Sequence, residues 1–326
     1  MAARRVTATI LLWLLVLPAA IWAVLRVGGW ERGIAVQLFA FTPYVAAWSL
    51  LPLLITLLTR RWPAAVVAAV AAAALIACVL PRALPSGDRG PATGVELRVL
   101  SSNMLQGGAD PATIVGLVRD NDVAVLALQE FTSPGQTALE AAGLKELLPY
   151  SSIGLGTDPF GTTGSALYSR FPLAGAGVAR NGGGFQQAYG TIEPPGAAPV
   201  LVESAHPAAP YAVSALRTWR SDLDGEPGTS AVPRILLGDF NSTLDHQALR
   251  TLISRGYRDA AEADGKGLVP TWGPYHGRPI PPVTIDHVLV DRRIGVAHVS
   301  VHGVPNSDHR AVLAELRLPA VSSLKP

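Results

Sequence analysis

The chain has 326 residues, 49% of them apolar and only 15% charged, with a positive mean hydropathy. That balance excludes an ordinary soluble enzyme with its apolar residues spread evenly, so the excess must be concentrated somewhere. A single cysteine, Cys78, excludes a disulfide framework. The first 90 residues hold 8 of the 26 Lys and Arg but only 2 of the 24 Asp and Glu, which leaves the remainder net negative. Such a remainder lacks the clustered cationic footprint needed to grip a nucleic-acid backbone without regard to sequence.

Three apolar runs fill almost all of residues 6–80: a charge-free run over 6–25, a longer one over 34–58, and an Ala/Val-rich one over 64–80. Each is near the roughly 20 residues a helix needs to cross about 30 Å of hydrocarbon. Residues 1–81 are therefore expected to form an anchor of three transmembrane helices. Pro18, Pro43 and Pro52 lie inside these runs, which spanning helices tolerate where neighbours satisfy the freed backbone groups. Arg4-Arg5 before the first run also suits a cleaved signal peptide, in which case the two later runs still leave a membrane protein. Arg4, Arg5, Arg60 and Arg61 lack acidic neighbours, whereas Arg26 and Arg32 share their loop with Glu31. The short basic ends belong in the cytoplasm, and an odd number of spans then puts everything after about residue 81 outside it. The Ala-, Arg-, Gly- and Pro-rich, Lys-poor composition agrees with a GC-rich bacterial source. The expected location is a bacterial cell membrane, multi-pass, with the rest of the chain extracytoplasmic.

Residues 82–94 are rich in Pro and Gly and read as a linker. A domain follows over 95–318, with 319–326 as a tail. A short apolar strand over 96–102 ends at Asn103, and Asp110 and Pro111 open a helix over 111–121. A buried strand over 123–128 ends in Gln129-Glu130. Further strands are expected over 164–169, 200–204, 234–237, 283–290 and 311–316, most of them followed by polar or turn residues. This mixed alternation predicts a two-sheet α/β sandwich with helices on its outer faces.

Polar residues recur at the strand ends in a set order: Asn103, Gln129-Glu130, Gly164 to Arg170, His206, Gly238-Asp239-Phe240-Asn241, Asp286 and Ser307-Asp308-His309. In that order, over nearly all of residues 95–318, the chain resembles the endonuclease/exonuclease/phosphatase superfamily. The resemblance implies a four-layer α/β/β/α sandwich of the DNase I-like kind, preceded here by three transmembrane helices. It also implies a metal-dependent phosphoric ester hydrolase using Mg2+, or Mn2+, because a hard divalent cation seeks carboxylate and amide oxygens. Glu130 is the leading metal ligand. Asn103 binds the phosphate or helps to hold the metal, and Asp308 faces the metal or a second metal position. Asp239 positions or deprotonates the attacking water, and Asn241 orients a phosphate oxygen. Asp286 fixes the tautomer of His309, which either takes a proton from water or stabilises the pentacovalent phosphate. His206 matches the histidine that protonates the leaving group. Its surroundings depart from the usual pattern, with Ser204-Ala205 before it and no carboxylate at Gln186-Gln187 to support it, so a bland histidine is the alternative. His246, His276, His298 and His302 fit no motif, and His287 should face the opposite side of its strand from Asp286.

Trp272, Tyr275, Phe160 and Phe185 are the aromatics placed to meet an apolar part of a substrate, with ordinary packing as the alternative for each. A tether near a bilayer raises the effective concentration of membrane substrates. With the acidic balance of the domain, this favours a lipid phosphate or lipid-linked cell-envelope precursor over nucleic acid. Within the superfamily, the chain looks similar to three-span actinobacterial membrane proteins associated with resistance to teicoplanin-type glycopeptides. An extracytoplasmic nuclease and a non-catalytic membrane-associated binding protein are the competing readings.

Overall fold

The structure, a computed structural model, describes residues 2–274 and 277–321. Its N-terminal part is helical throughout: α1 (Ala2–Val27), α2 (Ala35–Phe39), α3 (Thr42–Trp48), α4 (Leu50–Leu58) and α5 (Trp62–Val79). Two stretches, Val6–Val27 and Trp62–Ala83, are long and apolar enough to cross a membrane, which is compatible with membrane anchoring. The middle run departs from the expected single span. Phe41 leaves helical geometry at φ −95°, ψ 11° and separates α2 from α3, and the apolar helical stretch that remains, Thr42–Leu58, is shorter than the other two. Pro43 falls in the first turn of α3, where a missing N–H costs nothing, whereas Pro52 removes a donor inside the run, close to the break between α3 and α4 at Ser49.

Many large apolar side chains of the helices face outward, while alanines, with Val16 and Leu75, fill the seam between α1 and α5. Leu14, Leu58 and Val66 are exposed, while Ala64, Ala68 and Ala71 of α5 pack with Val16, Ala19 and Ala23 of α1. Small residues at such a seam let helix backbones approach closely. Arg61 reaches Thr9 at one end of the α1–α5 pair, and Arg26 and Arg82 both reach Asp245 at the other, so the two helices run parallel.

The remainder holds two six-stranded sheets. The first joins β1 (Val95–Asn103), β2 (Val125–Gln129), β3 (Tyr150–Gly154), β4 (Ser165–Ser169), β11 (Gly295–Gly303) and β12 (Arg310–Leu318) in the order β11-β12-β1-β2-β4-β3. The second joins β5 (Ala174–Arg180), β6 (Gln186–Ile192), β7 (Val200–Ala205), β8 (Arg234–Asp239), β9 (Tyr257–Asp259) and β10 (Asp286–Asp291) in the order β5-β6-β7-β8-β10-β9. Leu97, Val99 and Val125 of the first sheet meet Val202, Ile235 and Val288 of the second in one apolar core. Helices α6 (Pro111–Asp120), α7 (Ser133–Ala141) and α8 (Leu144–Leu147) cover the first sheet through Ile114, Val118, Leu139 and Leu144. Helices α9 (Leu216–Gly225) and α10 (Gln247–Ser254) cover the second through Trp219, Leu223, Leu249 and Leu252; a short α11 (Ala260–Ala263) follows β9. The architecture is the expected α/β/β/α sandwich. Asp110 caps α6 by accepting from Thr113 N at 2.8 Å.

Residues 82–94, read as a linker, lie against the domain: Asp88 pairs with Arg258 and Arg292, and Arg89 with Asp264. His287 turns away from Asp286, as its strand position requires, and bonds Asp259 and the Ser242 carbonyl. Beneath α9, Glu226 is buried beside Glu203 and Gln187; burial first, then the neighbouring Glu203, pushes its carboxyl up to about 8. The folded chain thus keeps a proton that the unfolded chain releases near its ordinary value of 4.5, so this group makes stability fall as pH climbs from that value to about 8. Glu226→Gln is expected to flatten the fall in Tm across that window, and a slope equal to wild type would refute the assignment.

Candidate active site

The parallel pairs decide where the polar residues gather. β1 and β2 run side by side with Asn103 level with Gln129, so Asn103 and Glu130 leave the first sheet at the same edge. β7 and β8 are parallel in the second sheet, with Ala205 level with Gly238, which brings His206 and Asp239 out together. β10 is antiparallel to β8 and sets Asp286 opposite Asp239. β12 is antiparallel to β1, and the turn Ser307-Asp308-His309 precedes its first residue at that same edge.

Asp239 Oδ2 is the hub of the cluster. It accepts from Asn103 Nδ2 at 3.0 Å and lies 3.7 Å from His309 Nε2 and 3.8 Å from His206 Nε2. His309 Nδ1 faces both Asp286 oxygens at 3.1 and 3.0 Å. Glu130 accepts from Asn103 Nδ2 at 3.2 Å and from the backbone N–H of Gln106 at 2.8 Å. Asp239 also accepts from Asn241 N at 2.8 Å, an Asx-type turn, and Asn241 Nδ2 donates to the Pro207 carbonyl at 3.0 Å. Glu130 and Asn241 both hold left-handed backbone, φ 53° and 48°. Non-glycine residues adopt that geometry only where their surroundings over-determine it, and such positions cluster at functional sites.

The electrostatics separate the two histidines. Burial alone would lower the His309 pKa, but Asp286 and Asp239 outweigh it and lift it to about 10, so the ring is an imidazolium donating Nδ1–H to Asp286. Burial, with His309 nearby, drives His206 down to about 3; its Nδ1 has no hydrogen-bond partner among the described residues and its ring meets Phe185 edge-on at 4.6 Å. His206 is neutral here, consistent with the missing carboxylate at Gln187, whose Oε1 accepts from Asn181 instead. Burial pushes the Asp239 and Glu130 carboxyls upward against the pull of their donors.

All eight residues singled out by sequence reach this one edge. Asn103 sits as a bridge, its Nδ2 between two carboxylates and its Oδ1 accepting from Leu105 N at 2.9 Å. Sequence reasoning gave no role to three supports. Thr271 Oγ1 accepts from the N–H groups of Ile285 and Asp286 at 3.0 Å each and so fixes the start of β10. Ser307 Oγ donates to the Asn103 carbonyl at 3.0 Å and accepts from His309 N at 3.1 Å. The Gln106 N–H aims Glu130 from a left-handed pair, Leu105 and Gln106. Of the aromatics, Trp272 donates to Asp308 Oδ2 at 3.2 Å, Phe185 packs on His206, Phe160 is exposed, and Tyr275 lies outside the described residues.

The donor set fits a hard divalent cation. Asp308 Oδ1 is buried, has no hydrogen-bond partner among the described residues and lies 3.9 Å from His309 Nε2, and Asp308 is close enough to Glu130 to raise its pKa. An orphaned carboxylate oxygen near a second carboxylate and an amide is the oxygen chemistry that Mg2+ and Mn2+ prefer. Asp239, Asp286 and His309 also offer atoms within 4.8 Å of one another, a second place for an ion, although both Asp286 oxygens there already face the His309 N–H.

Gly238 admits the close approach of β7 to β8: a Cβ there would lie 2.0 Å from the Ala205 carbonyl oxygen. Gly238→Ala is expected to move Asp239 away from His206 and lower turnover by about a hundredfold, the scale of a 1 Å misplacement. Steady-state kinetics on any accepted phosphodiester checks this, and unchanged turnover would contradict it.

Two sheets presenting paired carboxylates, an imidazolium and an oxygen-rich cation site define a metal-dependent phosphoester hydrolase. The chain belongs to the endonuclease/exonuclease/phosphatase family, whose sequence model matches residues 100–309. No curated protein matches the sequence. Among solved structures it is similar to the endonuclease/exonuclease/phosphatase from Beutenbergia cavernae, 23% identical over 69% of this chain and 72% of that one, with a TM-score of 0.53. A family protein from Leptotrichia buccalis is 14% identical over 68% of this chain and all of its own, TM-score 0.54. A humanised D. rerio TDP2 is 14% identical over 68% of this chain and 99% of its own, TM-score 0.53. At these identities the likenesses show the fold.

Proposed function

We propose that the chain is a membrane-anchored, extracytoplasmic phosphoesterase using Mg2+, or Mn2+, that hydrolyses a lipid phosphate or a lipid-linked cell-envelope precursor. The observation that carries this reading is the union of the apolar helices with the catalytic loop. Arg26 at the end of α1 and Arg82 after α5 both grip Asp245, six residues beyond Asp239, so the site is held close to the apolar helices. The exposed apolar side chains of those helices and the net negative charge of the remainder support a bilayer substrate over nucleic acid. Arg60 and Arg61 at the far end from the domain support a cytoplasmic face there.

Glu130, with Asn103 and Asp308 beside it, would hold a divalent cation that supplies Lewis acidity to a phosphate oxygen. Asp239 lies where an attacking water can be oriented and can lose its proton. Protonated His309, held by Asp286, presents Nε2–H to the oxygen charge that develops on the pentacovalent phosphate; the carboxylates that raise its pKa support that role over proton abstraction. Asn241 Nδ2 orients a second oxygen, and His206 faces the leaving group. A contribution to glycopeptide resistance follows if the product alters wall precursors, and unchanged teicoplanin susceptibility in a deletion strain counts against it. The test of function is Mg2+-dependent hydrolysis by the detergent-purified chain on lipid-linked precursors, phospholipids and DNA side by side. Release from a lipid supports the proposal; cleavage of DNA alone assigns a nuclease, and silence on all three favours a binding protein.

A further inference from the structure

Two loops that border the catalytic side chains end on the apolar helices. The loop after β7 opens with His206 and Pro207, whose carbonyl takes the Asn241 amide, and its Pro210 carbonyl accepts from Gln37 Nε2 of α2 at 2.8 Å. The loop before β10 leaves Trp272 beside Asp308, and its Pro282 carbonyl accepts from Tyr44 Oη of α3 at 2.6 Å, four residues short of Asp286. Between them, His246 Nε2 donates to the Val36 carbonyl of α2 at 2.8 Å while its Nδ1 accepts from Thr243 N. The mouth of the cleft is therefore fastened to the domain end of the apolar helices on both sides.

Next to the Gln37 contact, Tyr211 is 83% exposed and Val213 58% exposed, and Ile34 and Leu38 are exposed on either side of Gln37 itself. A single exposed apolar residue is ordinary. These four instead gather where the loop after β7 meets α2, and a tyrosine, apolar in body and polar at its tip, suits a headgroup layer. The geometry points to a lipid-facing rim: Tyr211 and Val213 rest in the headgroup layer of the leaflet that holds the domain end of the anchor, and the cleft opens onto that leaflet, taking a phosphate borne by one of its lipids. This rests on the membrane-anchored reading above and adds the surface and the direction of entry.

The test reads position independently of activity. In a Cys78→Ala background, Tyr211→Cys, Val213→Cys and, as control, Asp120→Cys each carry an environment-sensitive nitrobenzoxadiazole label. Asp120 is exposed at the end of α6 nearest the start of β2, the edge opposite the active site. The full chain is reconstituted in phosphatidylcholine–phosphatidylglycerol vesicles containing lipids with a nitroxide near the headgroup. Labels at 211 and 213 are expected to be quenched several-fold more strongly than the label at 120, with blue-shifted emission. Quenching at both positions no greater than at 120 would overturn the proposal, whatever the activity. Strong quenching at 211 and 213 without hydrolysis of any lipid by the wild type would retain the surface and overturn the lipid-substrate reading.

Discussion

His309→Ala is expected to lower turnover about a thousandfold, the usual scale for losing a donor that stabilises transition-state charge or an acid–base group. The side chain is buried, its Nδ1 spans both Asp286 oxygens, and its Nε2 is aimed at the space beside Asp239 and Asp308. Removing it leaves Asp239, Asp286 and Asp308 facing one another without a cation from the protein, so the change also weakens charge balance before any substrate arrives. His309→Gln keeps the volume and one donor but no positive charge, and should recover little of the rate. Single-turnover kinetics, with circular dichroism as a folding control, checks both variants. Turnover of the alanine variant within about tenfold of wild type would remove His309 from the chemistry.

Asp245→Ala is expected to destabilise the chain by about 3–5 kcal/mol, the range for breaking a buried ion pair from one side. Both Asp245 oxygens are occupied: Oδ1 accepts from Arg26 Nε at 2.6 Å and Arg82 Nη2 at 2.8 Å, and Oδ2 from Arg82 Nη1 at 2.7 Å. Burial raises the pKa of this carboxyl, but the two guanidinium groups outweigh it and the net shift is downward. Its contribution is present above the ordinary value of 3.8 and is lost as pH falls below it. Alanine strands two buried guanidinium groups beside the catalytic loop. Replacing all three members together, Arg26→Met, Arg82→Met and Asp245→Leu, should restore most of the loss, because an apolar trio of similar volume needs no desolvation. Chemical denaturation of the detergent-solubilised chain measures both, and a single variant as stable as wild type would show that the clamp holds nothing.

The site was legible in the sequence because its residues sit at strand ends and each strand is a short apolar run with a polar stop. Asn103, Glu130, Asp239 and Asp286 needed only that pattern and the family order to be placed. The sandwich followed from the same runs, but β3, β5, β6, β9 and β11 did not. β5 is largely exposed and reads AGAGVAR, without alternation, and β11 mixes histidine and serine with valine. The junction was illegible for a different reason. Arg26 and Glu31 look like loop charges between two spans, yet Arg26 is buried on Asp245 across 219 residues. Glu31 caps α10 by accepting from Gln247 N at 2.6 Å and Ala248 N at 2.9 Å. No local period encodes a pairing at that separation. His246, which fitted no motif, belongs to the same junction. The break between α2 and α3 likewise depends on how the helices meet the domain, with Pro43 in the first turn of α3 as its local sign.

The central claim, that this edge of the two sheets is a metal-assisted phosphoesterase site built around Glu130, is tested most directly by metal titration of turnover. The detergent-purified chain, stripped with EDTA, is assayed on bis(p-nitrophenyl) phosphate as Mg2+ or Mn2+ is returned, beside Glu130→Gln. The account predicts no turnover without metal, saturable recovery with either ion, and a metal requirement raised about 10–100-fold in the variant, the scale of a disturbed metal shell. Full turnover in EDTA, or a variant that follows the wild-type titration, would contradict it.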